Sequence, residues 1–130
     1  MSYVGLGVMA QSVYDRCGGF QTVRRVVSDF YDKVLDSESL EQFFAGVEMA
    51  RLIDHQTKFI AQVMGGPISI TDEQLRRAHM GLGITHEDFK EVAALLQEAL
   101  EDNGFSDSDV MVVVEAIVKR EPMIVSPMGA

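Results

Sequence analysis

The stretch "LRRAHMGLGIT", Leu75 to Thr85, carries one histidine between a helical run and a glycine-broken loop. Just upstream, "TDEQ" places Thr71 three residues before Gln74, a capping-box spacing that starts a helix. The helix is short and ends near Gly81, so His79 falls in its last turn. Thr85 then caps a new helix. No second histidine or cysteine stands at chelating distance in sequence, and the HxxxH spacing of a zinc site is absent. Three readings of His79 stay open at this point: a surface imidazole at a helix end, a buried structural imidazole, or a single axial ligand to something large.

Working outward, the period is helical throughout. A short helix around Val13 to Cys17 is followed by Gly18-Gly19. Val23, Val26, Val27, Phe30 and Val34 then make one face of a helix from Phe20 to Leu35. "SESLEQFF" reads as a helical turn capped by Ser37. Glu48 to Met64 carries a stripe of Met49, Leu52, Gln56, Phe59, Ile60 and Val63, and "GGP" at Gly65 to Pro67 stops it. After Thr85, the residues Phe89, Val92, Ala93, Leu96 and Leu100 face inward until Asn103-Gly104. "SDSD" starts a last helix with Val110, Val113, Val114 and Ile117 inward, and Pro122 lies just past it. The fold class is all-α, with about four main helices and short pieces between them. Residues 13–121 form the domain, 1–12 an N-terminal extension expected to be mobile, and 122–130 a tail.

The bulk numbers fit one domain with a real core: 130 residues, 47% hydrophobic and 24% charged. A net charge of −9 argues against nucleic acid and against an anionic membrane surface. No run approaches the ~18 apolar residues of a membrane span. The N-terminal stretch lacks the basic start of a signal peptide, so a cytoplasmic protein is expected. Cys17 is the lone cysteine, which excludes an intrachain disulfide and leaves it as a small hydrophobe. No serine or cysteine sits in a nucleophile motif, and neither "GLG" completes a nucleotide-binding loop. His86, in the first turn of its helix, reads as exposed.

Polar residues interrupt the apolar faces. His55 and Gln56 border the stripe of the third long helix, and Tyr31 lies four residues after Val27 and three before Val34. A buried amide, imidazole or phenol left without a partner costs ~1–3 kcal/mol. Each alone could bond a neighbour. Together with His79 they suggest an apolar pocket with polar edges.

The motifs "YDRCGGF", "DFYDKVL", "FFAGVEMARLIDHQTKF", "GGP" and "RRAHMGLGITHEDF" stand in the order and spacing of the truncated haemoglobins, and the chain most resembles group I of that family. The resemblance covers about Val13 to Ile117. It implies a two-over-two helical sandwich around one haem b, with His79 as proximal iron ligand and Phe44 packing on the haem face. Tyr31 and Gln56 match the distal polar positions, and Leu52 the place where many other globins carry a distal histidine. Phe59, Leu75, Ile84 and Phe89 complete the apolar contacts. Arg51, Lys58, Arg76 and Arg77 are candidates for the propionates. His55 matches a position that in some relatives binds the iron as a sixth ligand, and an outward His55 is the alternative.

The resemblance implies a monomer binding the diatomic gases O2, NO and CO. Hydrogen bonds from Tyr31 and Gln56 to a polarised ligand would each be worth ~1.5–3 kcal/mol, roughly ten- to a hundredfold in affinity. One job is NO dioxygenation, an enzymatic activity that needs an electron-donating reductase as partner. Another is redox or ligand sensing by a bis-histidine, hexacoordinate iron. A module that only passes electrons and a haem-free helical interaction module are the rivals. Some relatives attach haem through a histidine of the last helix; no histidine follows His86, so non-covalent haem is expected.

Overall fold

The structure is a computed structural model that describes residues 12–67 and 70–125. The expectations for the N-terminal extension and for the end of the tail lie outside the described residues. The elements are α1 (Val13–Cys17), α2 (Phe20–Leu35), a 3-10 turn (Glu41–Phe44), α3 (Met49–Val63), α4 (Asp72–His79), α5 (His86–Asp102), α6 (Asp107–Val118) and α7 (Glu121–Ile124). Among the described residues there is no strand.

Local chemistry sets most of these boundaries. Ser12 and Asp15 cap α1 reciprocally, Thr71 and Gln74 cap α4, and Thr85 and Asp88 cap α5. In each box the hydroxyl accepts from the third residue's N–H, and that residue's side chain returns to the cap N–H. Ser106 caps α6 by accepting from Asp109. At Gly18 the backbone is left-handed, with φ at 111°, and a Cβ would come within 2.8 Å of the Thr22 hydroxyl. At Gly66 a Cβ would come 2.8 Å from the Ala61 carbonyl oxygen. Chain reversal at both places therefore needs glycine.

The four long helices pair as α2 with α3 and α5 with α6, and the pairs stack through α2 on α5 and α3 on α6. This is a two-over-two sandwich. Its centre is made of Val23, Val26, Val27, Val34, Leu100 and Val113, all nearly without solvent exposure. The short α4 packs instead against α7. Gln62, near the end of α3, holds the chain leading into α4. Its amide donates to the Ile70 carbonyl at 3.0 Å and its oxygen accepts from the Ile70 N–H.

Two local expectations change. Ser37 does not cap the turn it was expected to cap. The 3-10 turn follows Leu40 and has no side-chain cap, while the Ser37 hydroxyl donates to the Glu91 carboxylate. The Leu40 and Glu41 N–H groups go instead to the Ser37 carbonyl, which leaves the hydroxyl no donor to cap. Cys17 is half-buried, and its thiol donates to the Tyr14 carbonyl at 3.3 Å. At the other end, Pro122 sits in the first turn of α7, where its missing N–H leaves no bond unmade.

Candidate functional site

Among the described residues the sandwich holds an apolar cavity of about 390 Å³. That lies within the usual range for small-molecule and cofactor sites. α2 contributes Val27, Phe30, Tyr31 and Val34; the 3-10 turn contributes Phe43 and Phe44; α3 contributes Leu52, Gln56, Phe59 and Ile60. The opposite wall comes from Leu75, Ala78 and His79 of α4, Leu82 and Ile84 of the following loop, and Phe89, Val92 and Leu96 of α5. Ile117 and Ile124 close the end.

His79 is held by its own helix. Its Nδ1 lies 2.8 Å from the Leu75 carbonyl oxygen, one turn back. A carbonyl only accepts, so Nδ1 carries the proton and donates it. The neutral ring then keeps its lone pair on Nε2. The ring lines the cavity and is half-buried. Among the described residues no three His, Cys, Asp or Glu side chains gather into a metal cage. A metal at His79 must therefore bring its other ligands with it.

On the α2 side, Tyr31 is 7% exposed and wedged edge-on between Phe30 and Phe44, with ring centroids 4.8 and 5.7 Å away. Its hydroxyl has no hydrogen-bond partner among the described residues. Burial pushes the phenol's pKa up, so it stays a neutral donor. The Gln56 amide, half-buried one element away, also lacks a partner among the described residues. An apolar slot with one basic imidazole nitrogen on one wall and two unpaired polar tips on another fits the group implied by the sequence resemblance. A haem would supply the apolar plate and an iron for His79 to hold.

Nine of the residues expected at this site line the cavity: Tyr31, Phe44, Leu52, Gln56, Phe59, Leu75, His79, Ile84 and Phe89. Five do not: Arg51, His55, Lys58, Arg76 and Arg77. The reason is helical geometry. Leu52, Gln56, Phe59 and Ile60 share one face of α3, and His55 is turned about 100° from Gln56, toward solvent. On α4 the inward positions are Leu75, Ala78 and His79, which leaves Arg76 and Arg77 outward. Both arginines bind Glu73, at 2.9 and 3.3 Å, and Arg51 and Lys58 are exposed. No Lys or Arg lines the cavity among the described residues, and Asp88 is its one carboxylate. The exposed His86 pairs with Glu121, clasping α7 to the start of α5.

Among the lining residues that the sequence reading missed are Phe43, Leu82, Asp88 and Ile124. Phe43 was signalled by the paired phenylalanines, whose second member alone was singled out. Ile124 lies beyond Pro122, in a segment read as tail.

The bacterial-like globin family matches residues 12–124. The chain is 39% identical to the group 1 truncated haemoglobin of Mycolicibacterium paratuberculosis over 87% of this chain and 83% of that one. It is 32% identical to the group 1 truncated haemoglobin of Synechocystis, over 82% of this chain and 88% of that one. Among solved structures, the 2/2 haemoglobin of Synechococcus, in its cyanomet state with covalently attached haem, superposes with a TM-score of 0.82 at 28% identity. That match covers 88% of this chain and 98% of the other. A sandwich with this helix order, a cavity with this donor set and a family match over nearly the whole described length agree: the chain belongs to the bacterial-like globins, and among them to the truncated haemoglobins of group 1.

Proposed function

We propose that this globin holds one non-covalent haem b on His79 and binds a diatomic gas, O2, NO or CO, with Tyr31 and Gln56 as the hydrogen-bond donors that would meet it. When bound, the haem would supply the iron that takes the gas. The chain's own residues do the rest. Leu75 accepts the Nδ1 proton of His79, which fixes the tautomer and makes Nε2 the better base. Phe44, Phe59 and Phe89 line the cavity and would keep water from the bound group. Tyr31 and Gln56 offer donors where charge builds on a polar ligand.

One observation carries this reading: an imidazole with Nδ1 already committed to Leu75 shares an apolar cavity with a Tyr hydroxyl and a Gln amide that lack partners among the described residues. The exposed, outward His55 supports a five-coordinate iron over the bis-histidine form. The lack of any histidine after His86 supports dissociable haem. NO dioxygenation is the activity this site suits best, with Tyr31 and Gln56 orienting O2 and a separate reductase supplying electrons. The same proposal includes a cytoplasmic monomer. No described helix is long and apolar enough to cross a membrane.

Optical spectra of the haem-loaded chain and of His55→Ala, ferric and ferrous, test the coordination. High-spin ferrous spectra that are alike in both proteins are expected. A low-spin ferrous spectrum that turns high-spin in His55→Ala would replace this reading with the bis-histidine one. Mixing the O2-loaded protein with NO should yield nitrate stoichiometrically; a slow reaction without nitrate would remove the dioxygenase assignment.

A further inference from the structure

Glu91 stands on α5 one position before Val92, outside the cavity lining. Both of its carboxylate oxygens accept hydrogen bonds from the turn that follows α2. Oε1 accepts from the Ser39 hydroxyl at 2.5 Å, and Oε2 from the Ser37 hydroxyl. The two hydroxyl oxygens are themselves 3.2 Å apart. These bonds, Ser37 first and Ser39 second, hold the Glu91 carboxyl below the usual glutamate range, against the opposing effects of burial and of Asp88.

The segment on the far side of this contact carries a wall of the cavity. Leu40 is buried, and Phe43, Phe44 and Val47 line the site. Yet the 3-10 turn that presents the two phenylalanines has no side-chain cap and buries none of its four residues fully. A single short turn of this kind has little stability of its own. Phe44, in turn, is the ring against which the Tyr31 ring rests edge-on.

We propose that Glu91 is a positioning residue. It staples the turn at Ser37 and Ser39 to α5, which keeps the Phe43–Phe44 wall closed and sets Phe44 against Tyr31. The consequence for haem retention rests on the haem site proposed above; the staple itself rests only on the hydrogen bonds.

The experiment uses the full chain loaded with haem. Haem transfer to apomyoglobin is followed in the Soret band, and amide hydrogen exchange is followed at Leu40, Phe43 and Val47, whose N–H groups bond Ser37, Leu40 and Phe44. Glu91→Ala should speed haem loss about tenfold and speed exchange at all three amides. Ser37→Ala with Ser39→Ala should reproduce both effects, and adding Glu91→Ala to that pair should change little further, because the three side chains act as one unit. Glu91→Gln should stay near wild type, since its oxygen accepts from one serine and its amide donates to the other. Haem loss within about twofold of wild type in Glu91→Ala, with unchanged exchange, would overturn the proposal. So would serine and Glu91 effects that simply add, or a Glu91→Gln chain as impaired as Glu91→Ala. If Glu91→Ala fails to fold, the serine pair and Glu91→Gln carry the test. A wild-type chain that takes up no haem would sink the haem-site reading, and exchange at the three amides would still decide the staple.

Discussion

The two sides of the cavity are built differently. On the α2–α5–α6 side the helices close on one another: Val23, Val26, Leu100 and Val113 have no exposure at all. On the α4 side a single residue of eight, Leu75, is buried. Met80 and Leu82, just beyond it, are 66% and 46% exposed. The first side is a core that folding alone completes. The second is a short, well-capped helix that packs on the still shorter α7, and eight residues are too few to hold a helix by propensity. The α4 wall of the cavity is therefore less completely covered by protein than the opposite one. The proposed haem would cover it, with His79 as its anchor.

Substitution can break this contrast, and the largest effect is expected at His79. His79→Ala should abolish stable haem retention while leaving the α2–α5–α6 core folded; helical circular dichroism close to wild type with no defined Soret band is the expected pair of results. Leu100→Ala should act the other way round. It empties part of the closed core and should cost ~2–5 kcal/mol in denaturant unfolding with or without haem. Leu82→Ala, on the open side, should change haem-free stability by less than ~0.5 kcal/mol. If both leucines cost the same without haem, the two sides do not differ as described.

Tyr31 belongs to both sides, with its ring in the core and its hydroxyl at the cavity. Tyr31→Phe should speed O2 dissociation by roughly ten- to a hundredfold, measured by stopped flow, through loss of one hydrogen bond to a charged ligand. Because burial raises the folded-state phenol above its ordinary value of 10.0, the sign is fixed. The resulting stabilisation is complete below that ordinary value and is lost as pH rises above it. Alkaline unfolding should therefore come at higher pH in Tyr31→Phe.

At Glu91 the expected effect is one of pH. Its carboxyl is depressed in the folded chain, so the stabilisation it gives is present above the ordinary glutamate range and is lost as pH falls through the folded value. As pH falls below the ordinary glutamate range, haem loss should speed more steeply in wild type than in Glu91→Gln. Identical pH profiles would mean the carboxylate is not the acid-sensitive part of the staple.

Much of this was legible from local chemistry. The capping pairs at Thr71 and Gln74, and the cap at Thr85, mark where α4 and α5 begin, and the stripe Val23 to Val34 marks the buried face of α2. What periodicity settled less well was which of two neighbours looks inward. His55 and Gln56 both border the stripe of α3, and the packing of the whole helix selects Gln56. Arg76 and Arg77 followed from the motif rather than from the face of α4, and they turn to Glu73. The Ser37–Ser39–Glu91 contact joins residues more than 50 positions apart, so no local pattern announces it. Ile124 reaches the cavity because α7 folds back on α4, which a proline in sequence argues against until it is placed in a first turn.

The most direct test of the central claim is a haem titration of the purified chain and of His79→Ala, followed together in the Soret band and by thermal unfolding. A sharp 1:1 endpoint in the wild-type protein, a Tm that rises with haem, and neither change in His79→Ala are the predicted results. A titration with no endpoint, or one that His79→Ala reproduces, would contradict a haem anchored on His79.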